Sequence, residues 1–307
     1  EIVQTVPIDD NNTFALVTCV KDEMKFPECY LERFLDKYHT LFHEIIIVDT
    51  GSTDNSIEVA EYYGAKVIKS DVKDDFAAWR NIGLEACASK WVMHADPDEE
   101  LGADLLRLLR WIELPYLGFR IPIVHPTHGL DPKAYPKTWK CRIFRNLPEI
   151  RYKDAVHEEV ESALNELRAK GLGEVMMIDP KDYPSFPGII HNGNLKDPKD
   201  VYEKKQRYIE ICHKMLEKDA NNYASHFHIA MDSAAHGEID KAIEHFESSM
   251  KIKPEYGENY REAGRCKLFQ AMEYYQKGIQ VLPPNSQYQV VFRALINKLS
   301  ELSPQVL

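Results

Sequence analysis

Short apolar runs broken by polar turns open the chain. Phe14 to Val20 (FALVTCV) and Glu44 to Val48 (EIIIV) are rich in β-branched residues and end in polar turns, so both predict strands. Between them, Leu31, Phe34 and Leu35 recur at helical spacing over Glu28 to Tyr38. The stretch Asp49-Thr50-Gly51-Ser52-Thr53-Asp54-Asn55-Ser56 predicts a turn and a capped helix start; Ile57 to Tyr63 continues that helix and Gly64 ends it. Lys66 to Lys69 predicts a third strand, Phe76 to Ala88 a helix, and Trp91 to Ala95 a fourth strand. Such alternation predicts an α/β fold, a mostly parallel sheet with helices on both faces. From Tyr116 to about Pro187 the pattern loosens. Prolines and aromatics become frequent, with short strands at Gly118 to Val124 and Thr138 to Arg145, and long loops between. This region reads as the acceptor side of the same domain, with His125 to Lys137 as a lid.

From Val201 onward the pattern is helical and repeats itself. Ala220 and Pro254 stand 34 residues apart, each at a predicted helix end, and Tyr223 to Ala230 aligns with Gly257 to Gly264 at that offset. Ala242 to Met250 then aligns with Ala271 to Ile279 at an offset of 29, and Pro283 follows Pro254 by the same 29. A helix-turn-helix period of 34 closed by proline is the tetratricopeptide signature. The change of offset places a five-residue deletion in the turn between the two helices of the second repeat. Two domains are therefore expected, residues 1–198 and an all-α repeat module over residues 199–307.

In open α/β sheets, ligands bind at the carboxyl ends of the strands. Three polar turns occupy that edge: the one after Val20, the one at Asp49 to Asp54, and the one at Asp96 to Glu100. The first strand is not followed by GxGxxG, and no GxxxxGK[ST] is present, which disfavours a dinucleotide-binding dehydrogenase and excludes a P-loop. Within WVMHADPDEEL (Trp91 to Leu101), Asp96 and Asp98 are separated by one residue, so extended backbone points both carboxylates the same way. Two converging carboxylates suit Mn²⁺ or Mg²⁺, which take oxygen ligands and share their shells with substrate phosphates. Pro97 fixes its own φ and biases Asp96 toward extended geometry. The alternative is an acidic helix start offsetting the helix dipole.

The segments EIIIVDTGSTDNSIEVAEYYGAKV (Glu44 to Val67) and DDFAAWRNIGLEACASKWVMHADPDEEL (Asp74 to Leu101) resemble the family 2 glycosyltransferases of the GT-A fold. The similarity extends to Lys21-Asp22-Glu23, Arg142-Ile143-Phe144-Arg145-Asn146, Val156-His157-Glu158 and Ile190-His191-Asn192-Gly193. It points to the subgroup with C-terminal tetratricopeptide repeats, which includes the bacteriocin-peptide S-glycosyltransferases. The resemblance implies an inverting, metal-dependent transfer from a nucleotide-sugar, UDP-hexose first; the acceptor is left open, the repeats suggesting a peptide or protein and a lipid or glycan being the alternative. It implies nucleotide-sugar contacts at Thr18, Cys19, Asp22, Asp49, Thr50, Arg80 and Asp96. It implies metal ligation by Asp98, Asp96 and His157, and a catalytic base at Glu158, with Glu99 and Glu159 as rivals. His191 is either a donor-site ligand or a loop packing residue, and Tyr135 and Trp139 could stack on a sugar. Many members carry a second Asp where Thr50 stands, which weakens the inference to uracil.

The formal net charge of −11 argues against a nucleic-acid partner, whose phosphates need clustered Lys and Arg. No apolar run approaches the ~18 residues of a membrane span. The six cysteines include no CxxC pair and read as buried free thiols of a reducing compartment, so a cytoplasmic location is expected. The repeats offer a surface for homo-oligomers. The competing function is a tetratricopeptide interaction protein whose GT-A domain is a non-catalytic relic.

Overall fold

The computed structural model describes residues 13–25, 28–103, 105, 116–127, 129–131, 135–156, 158–183, 185–186, 188–195, 198–283 and 286–306. The chain divides into two compact units, Glu1–Glu203 and Lys204–Leu307.

In the first unit, β1 (Phe14–Val20), β2 (Glu44–Asp49), β3 (Lys66–Lys69) and β4 (Trp91–His94) form the parallel order β3-β2-β1-β4. Three helices connect them: α1 (Tyr30–Tyr38), α2 (Ser56–Tyr62) and α3 (Phe76–Glu85). The period of two along β1 separates two cores. Phe14, Leu16 and Val20 pack with Leu31, Phe34 and Leu35 of α1 on one face. Ala15 and Val17 pack with Ala77 and Leu84 of α3 on the other. Helices on both faces follow from that division.

Beyond β4 the sheet stops being parallel. It runs on through β7 (Lys137–Arg145), β6 (Tyr116–Val124), β9 (Ile189–His191) and β5 (Glu99–Leu101), with β8 (Glu174–Met177) also on β6. The β4–β7, β6–β7 and β5–β9 pairs are antiparallel, whereas β6–β8 and β6–β9 are parallel. The expectation of a mostly parallel sheet thus holds for the first four strands, and the whole is a mixed nine-stranded sheet. The strands β5, β8 and β9 have only three or four residues, too short to show a period. Helix α4 (Glu161–Ala169) buries Ala163, Leu164 and Leu167 in the second core.

The second unit holds most of α5 (Pro198–Lys218), then α6 (Tyr223–Ala235), α7 (Ile239–Ile252), α8 (Gly257–Val281) and α9 (Gln287–Val306). The first repeat is the hairpin α6–α7, turned at Gly237 with φ of 76°, a left-handed conformation that glycine adopts freely. Its core is Phe227, Ala230, Ala242 and Phe246, joined by Ala263 and Cys266 of α8. The second repeat differs from the sequence reading. The five-residue deletion removes the turn outright, and both expected helices run on as the single 25-residue α8. Among the described residues no helix is long and apolar enough to cross a membrane. All six cysteines are free, four of them buried, while Cys19 and Cys29 are only partly covered.

Candidate active site

β4 ends at His94, and the chain then turns through Asp96-Pro97-Asp98 into β5. β5 is held antiparallel to β9 with Glu99 opposite His191. That pairing brings His191 to the two aspartates. One ligand atom each from Asp96, Asp98 and His191 lies within 4.8 Å of the others. His191 Nε2 is 3.7 Å from Asp98 Oδ1, and the Asn192 amide donates to the Asp98 carbonyl at 3.1 Å. Gly193 closes this corner. A Cβ there would lie 2.6 Å from His191 Cε1 and 3.3 Å from Asp98 Oδ2, so a side chain would have to displace the His191 ring. Two carboxylates and one imidazole that meet within this distance fit a divalent cation. His157, expected as third ligand, lies outside the described residues; among the described residues, His191 is the histidine that groups with both aspartates.

Buried charges surround this corner. Glu99 is fully buried: Oε1 accepts from Arg142 Nη2 at 2.9 Å and Oε2 from the Asp96 amide at 2.8 Å. Arg80, on α3, pairs with Glu158 and lies 4.0 Å from Asp96 Oδ1, its guanidinium over the Tyr152 ring. Arg142, on β7, lies 3.9 Å from Asp96 Oδ2. Burial pushes the Asp96 carboxyl up, but the His94 hydrogen bond (3.0 Å) and the Arg80 and Arg142 guanidiniums outweigh it and hold it well below the usual carboxylate range. Burial, reinforced by Arg80, lowers His94 to about 4, so that imidazole is neutral. Burial raises Glu99 to about 8, opposed by Arg142 and reinforced by Asp96 and Asp98.

The other expected residues lie along the adjoining strand ends. Asp22 has φ of 54° and accepts from the Thr53 amide (2.7 Å) and hydroxyl (3.0 Å), clamping the turn after β1 to the turn after β2. The Asp49 carboxylate accepts from the amides of Gly51 and Ser52. The Thr50 hydroxyl donates to the Val20 carbonyl, so both residues shape the turn. Thr18 is buried, with no hydrogen-bond partner for its hydroxyl among the described residues. Burial pushes the Cys19 thiol up to about 12, against the pull of Arg80, which rules it out as a thiolate at neutral pH. A cavity of about 60 Å³ is lined by Arg80, Arg142, Tyr152, Glu158, Glu159 and Lys140, among others. Glu159 Oε2 accepts from the Ser162 amide at the start of α4. Trp139 stands 38% exposed on β7 and Tyr135 is half-buried, while parts of the expected lid, residues 128 and 132–134, lie outside the described residues. Sequence reasoning gave no role to His94 or Arg142. His94 precedes Asp96 by two, the spacing that places both on one side of extended backbone, and that signal was available.

Acidic side chains at strand ends, flanked by buried guanidiniums, make this edge of the α/β domain a candidate site for a cation with an anionic ligand. Residues 16–157 match the family described as Glycosyl transferase family 2. A TPR repeat-containing protein of Synechococcus elongatus is 33% identical over 152 residues, covering 49% of this chain and 36% of the relative. The SPbeta prophage-derived glycosyltransferase SunS of Bacillus subtilis is 21% identical over 226 residues, covering 72% of this chain and 50% of the relative. The chain thus spans about a third to a half of the length of these relatives. Among solved structures, glucosyl-3-phosphoglycerate synthase from Mycobacterium tuberculosis, in complex with Mn²⁺, UDP and glucosyl-3-phosphoglycerate, is 15% identical, with 67% of this chain and 79% of that chain covered at a TM-score of 0.43.

Proposed function

We propose that this protein is a metal-dependent, inverting glycosyltransferase that moves a hexose from a nucleotide-sugar, UDP-hexose first, to a peptide or protein acceptor. The observation that carries the reading is the meeting of Asp96, Asp98 and His191 at the carboxyl edge of the sheet, flanked by Arg80 and Arg142. The three ligands would hold Mn²⁺ or Mg²⁺; when bound, the cation supplies positive charge to a diphosphate leaving group. Glu99 fixes the Asp96 backbone and the Arg142 guanidinium together, a positioning role that uses both its oxygens.

The base must lie where an acceptor can reach it. Glu99 is sealed, and Glu159 lines the cavity but is held by the start of α4, whereas Glu158 lines it beside Arg80. Glu158 is therefore assigned to take the acceptor proton. The turn residues Thr18, Asp22, Asp49 and Thr50 would form the nucleoside wall at the ends of β1 and β2, a shape held by the Asp22–Thr53 clamp. The free thiols and the absence of a spanning helix among the described residues accord with a cytoplasmic enzyme. Sugar release from UDP-, GDP- and TDP-hexoses, measured with Mn²⁺ and with EDTA, tests this. Turnover should need the metal and collapse in Asp98→Ala. Turnover unchanged in EDTA would remove the metal from the mechanism, and no turnover with any donor and acceptor would favour the relic domain.

A further inference from the structure

Arg142 carries an unmet hydrogen-bonding demand. Its side chain is 10% exposed, and Nη2 donates to Glu99. Its Nε and Nη1 are buried with no partner among the described residues. A guanidinium has five N–H donors in a fixed fork, and leaving them unpaired away from water is costly. The neighbouring acceptors are committed. Glu99 Oε2 holds the Asp96 amide, Asp96 Oδ1 holds His94, and Asp96 is also a member of the cation corner. Lys140 and Arg80, which line the same cavity, are cations themselves. What fits the open side of the fork is an anion from outside whose oxygens accept two parallel bonds, the chemistry of a phosphoryl group.

The position narrows the choice of phosphate. Arg142 lines the cavity that also contains Glu158. A base must stand at the reacting end of the donor, and the phosphate at that end is the one joined to the sugar. We infer that Arg142 binds the sugar-proximal phosphate of a nucleoside diphosphate and stabilises it as the leaving group. This rests on the nucleotide-sugar reading above. In the transfer, the acceptor atom forms a bond to the anomeric carbon. The bond from that carbon to the phosphate oxygen breaks, its electron pair stays on the oxygen, and the acceptor proton passes to Glu158. Arg142 then faces an oxygen that gains charge, where a preorganised donor acts most strongly.

The test compares UDP with UMP, and GDP with GMP, by calorimetry on the full chain, in Mn²⁺ and again in EDTA. Arg142→Gln should weaken diphosphate binding about tenfold or more and leave monophosphate binding within about twofold. Arg142→Lys, which keeps the charge and loses the fork, should fall between, and it carries the test if the glutamine variant does not fold. With a working donor, kcat should fall by more than KM rises. Equal losses for diphosphate and monophosphate, or no loss in either folded variant, would overturn the assignment. Wild-type protein that binds none of the four nucleotides would remove the nucleotide-sugar reading, and the inference with it. Wild-type binding with an unmoved Arg142 variant would remove the inference alone.

Discussion

In the helical unit, several buried polar groups answer one another, although Gln206 Nε2, Asp232 Oδ1 and Asn259 Oδ1 have no hydrogen-bond partner among the described residues. The Asn259 amide donates to Ser249, whose hydroxyl donates to the Tyr223 carbonyl, and the two oxygens of Glu262 take Arg261 and Arg265. In the sheet unit, the charges around Asp96 are only half answered. Arg142 keeps two buried donors unmatched, and Thr18 and His94 each keep one unmatched atom. The first arrangement is what packing alone requires. The second costs stability unless something else completes it, and its location at the carboxyl edge of the sheet says what kind of ligand does so. The buried polarity around Asn259 and Glu262 thus reads as structure, and the guanidinium beside Asp96 reads as a binding feature.

This contrast can be broken from either side. The largest effect is expected in the repeat core, where Phe246 is fully buried against Phe227. Phe246→Ala should cost about 3–5 kcal/mol in denaturant unfolding, while nucleotide affinity per folded molecule stays unchanged. Loss of affinity in the folded fraction would tie the repeat core to the site. Glu158→Gln should do the reverse, lowering kcat by about 10²–10⁴-fold with little change in melting temperature. A large stability loss there would make its pairing with Arg80 structural only. Gly237→Ala, at positive φ in the one repeat turn that survives, should destabilise by about 1 kcal/mol; an unchanged midpoint would mean that the α6–α7 turn tolerates the strain.

The smallest effect concerns pH. Burial pushes Asp22 up, but the Thr53 hydrogen bonds and Lys25 outweigh it and lower its pKa. A depressed carboxyl contributes stability above its unfolded pKa, and that contribution fades as pH falls through the folded value. Wild-type protein should therefore lose its advantage over Asp22→Asn below the usual aspartate range. Parallel acid profiles for the two proteins would show that the clamp contributes nothing.

Much of this was legible from residues. The first four strands followed from short apolar runs that end in polar turns, and α1 carries enough apolar residues at helical spacing to be placed by pattern alone. Asp96 and Asp98 were legible because two carboxylates one residue apart on a strand end point the same way and suit a shared cation. The antiparallel half was not. Strands as short as Ile189–His191 have no period, and their partners lie about ninety residues away, as Glu99 does from His191. Hence His191 could be suspected as a ligand but not placed beside Asp98. Arg142 entered only as part of a segment that resembles the family, with no role of its own, because burial and unmatched donors exist only after folding. The fused α8 is the opposite case: the deletion was visible, but its consequence depended on whether the shortened segment still turns.

The most direct test of the Asp96–Asp98–His191 centre is a melting curve of wild type and Asp98→Ala with Mn²⁺ alone, UDP alone, and both together. Binding to the native state raises stability by mass action. Wild type should gain more from the pair than from the sum of the two, and Asp98→Ala should lose that excess while keeping its unliganded melting temperature within a few degrees. An equal gain in both proteins, or none in wild type with UDP, GDP or TDP, would contradict a metal–nucleotide centre at this edge of the sheet.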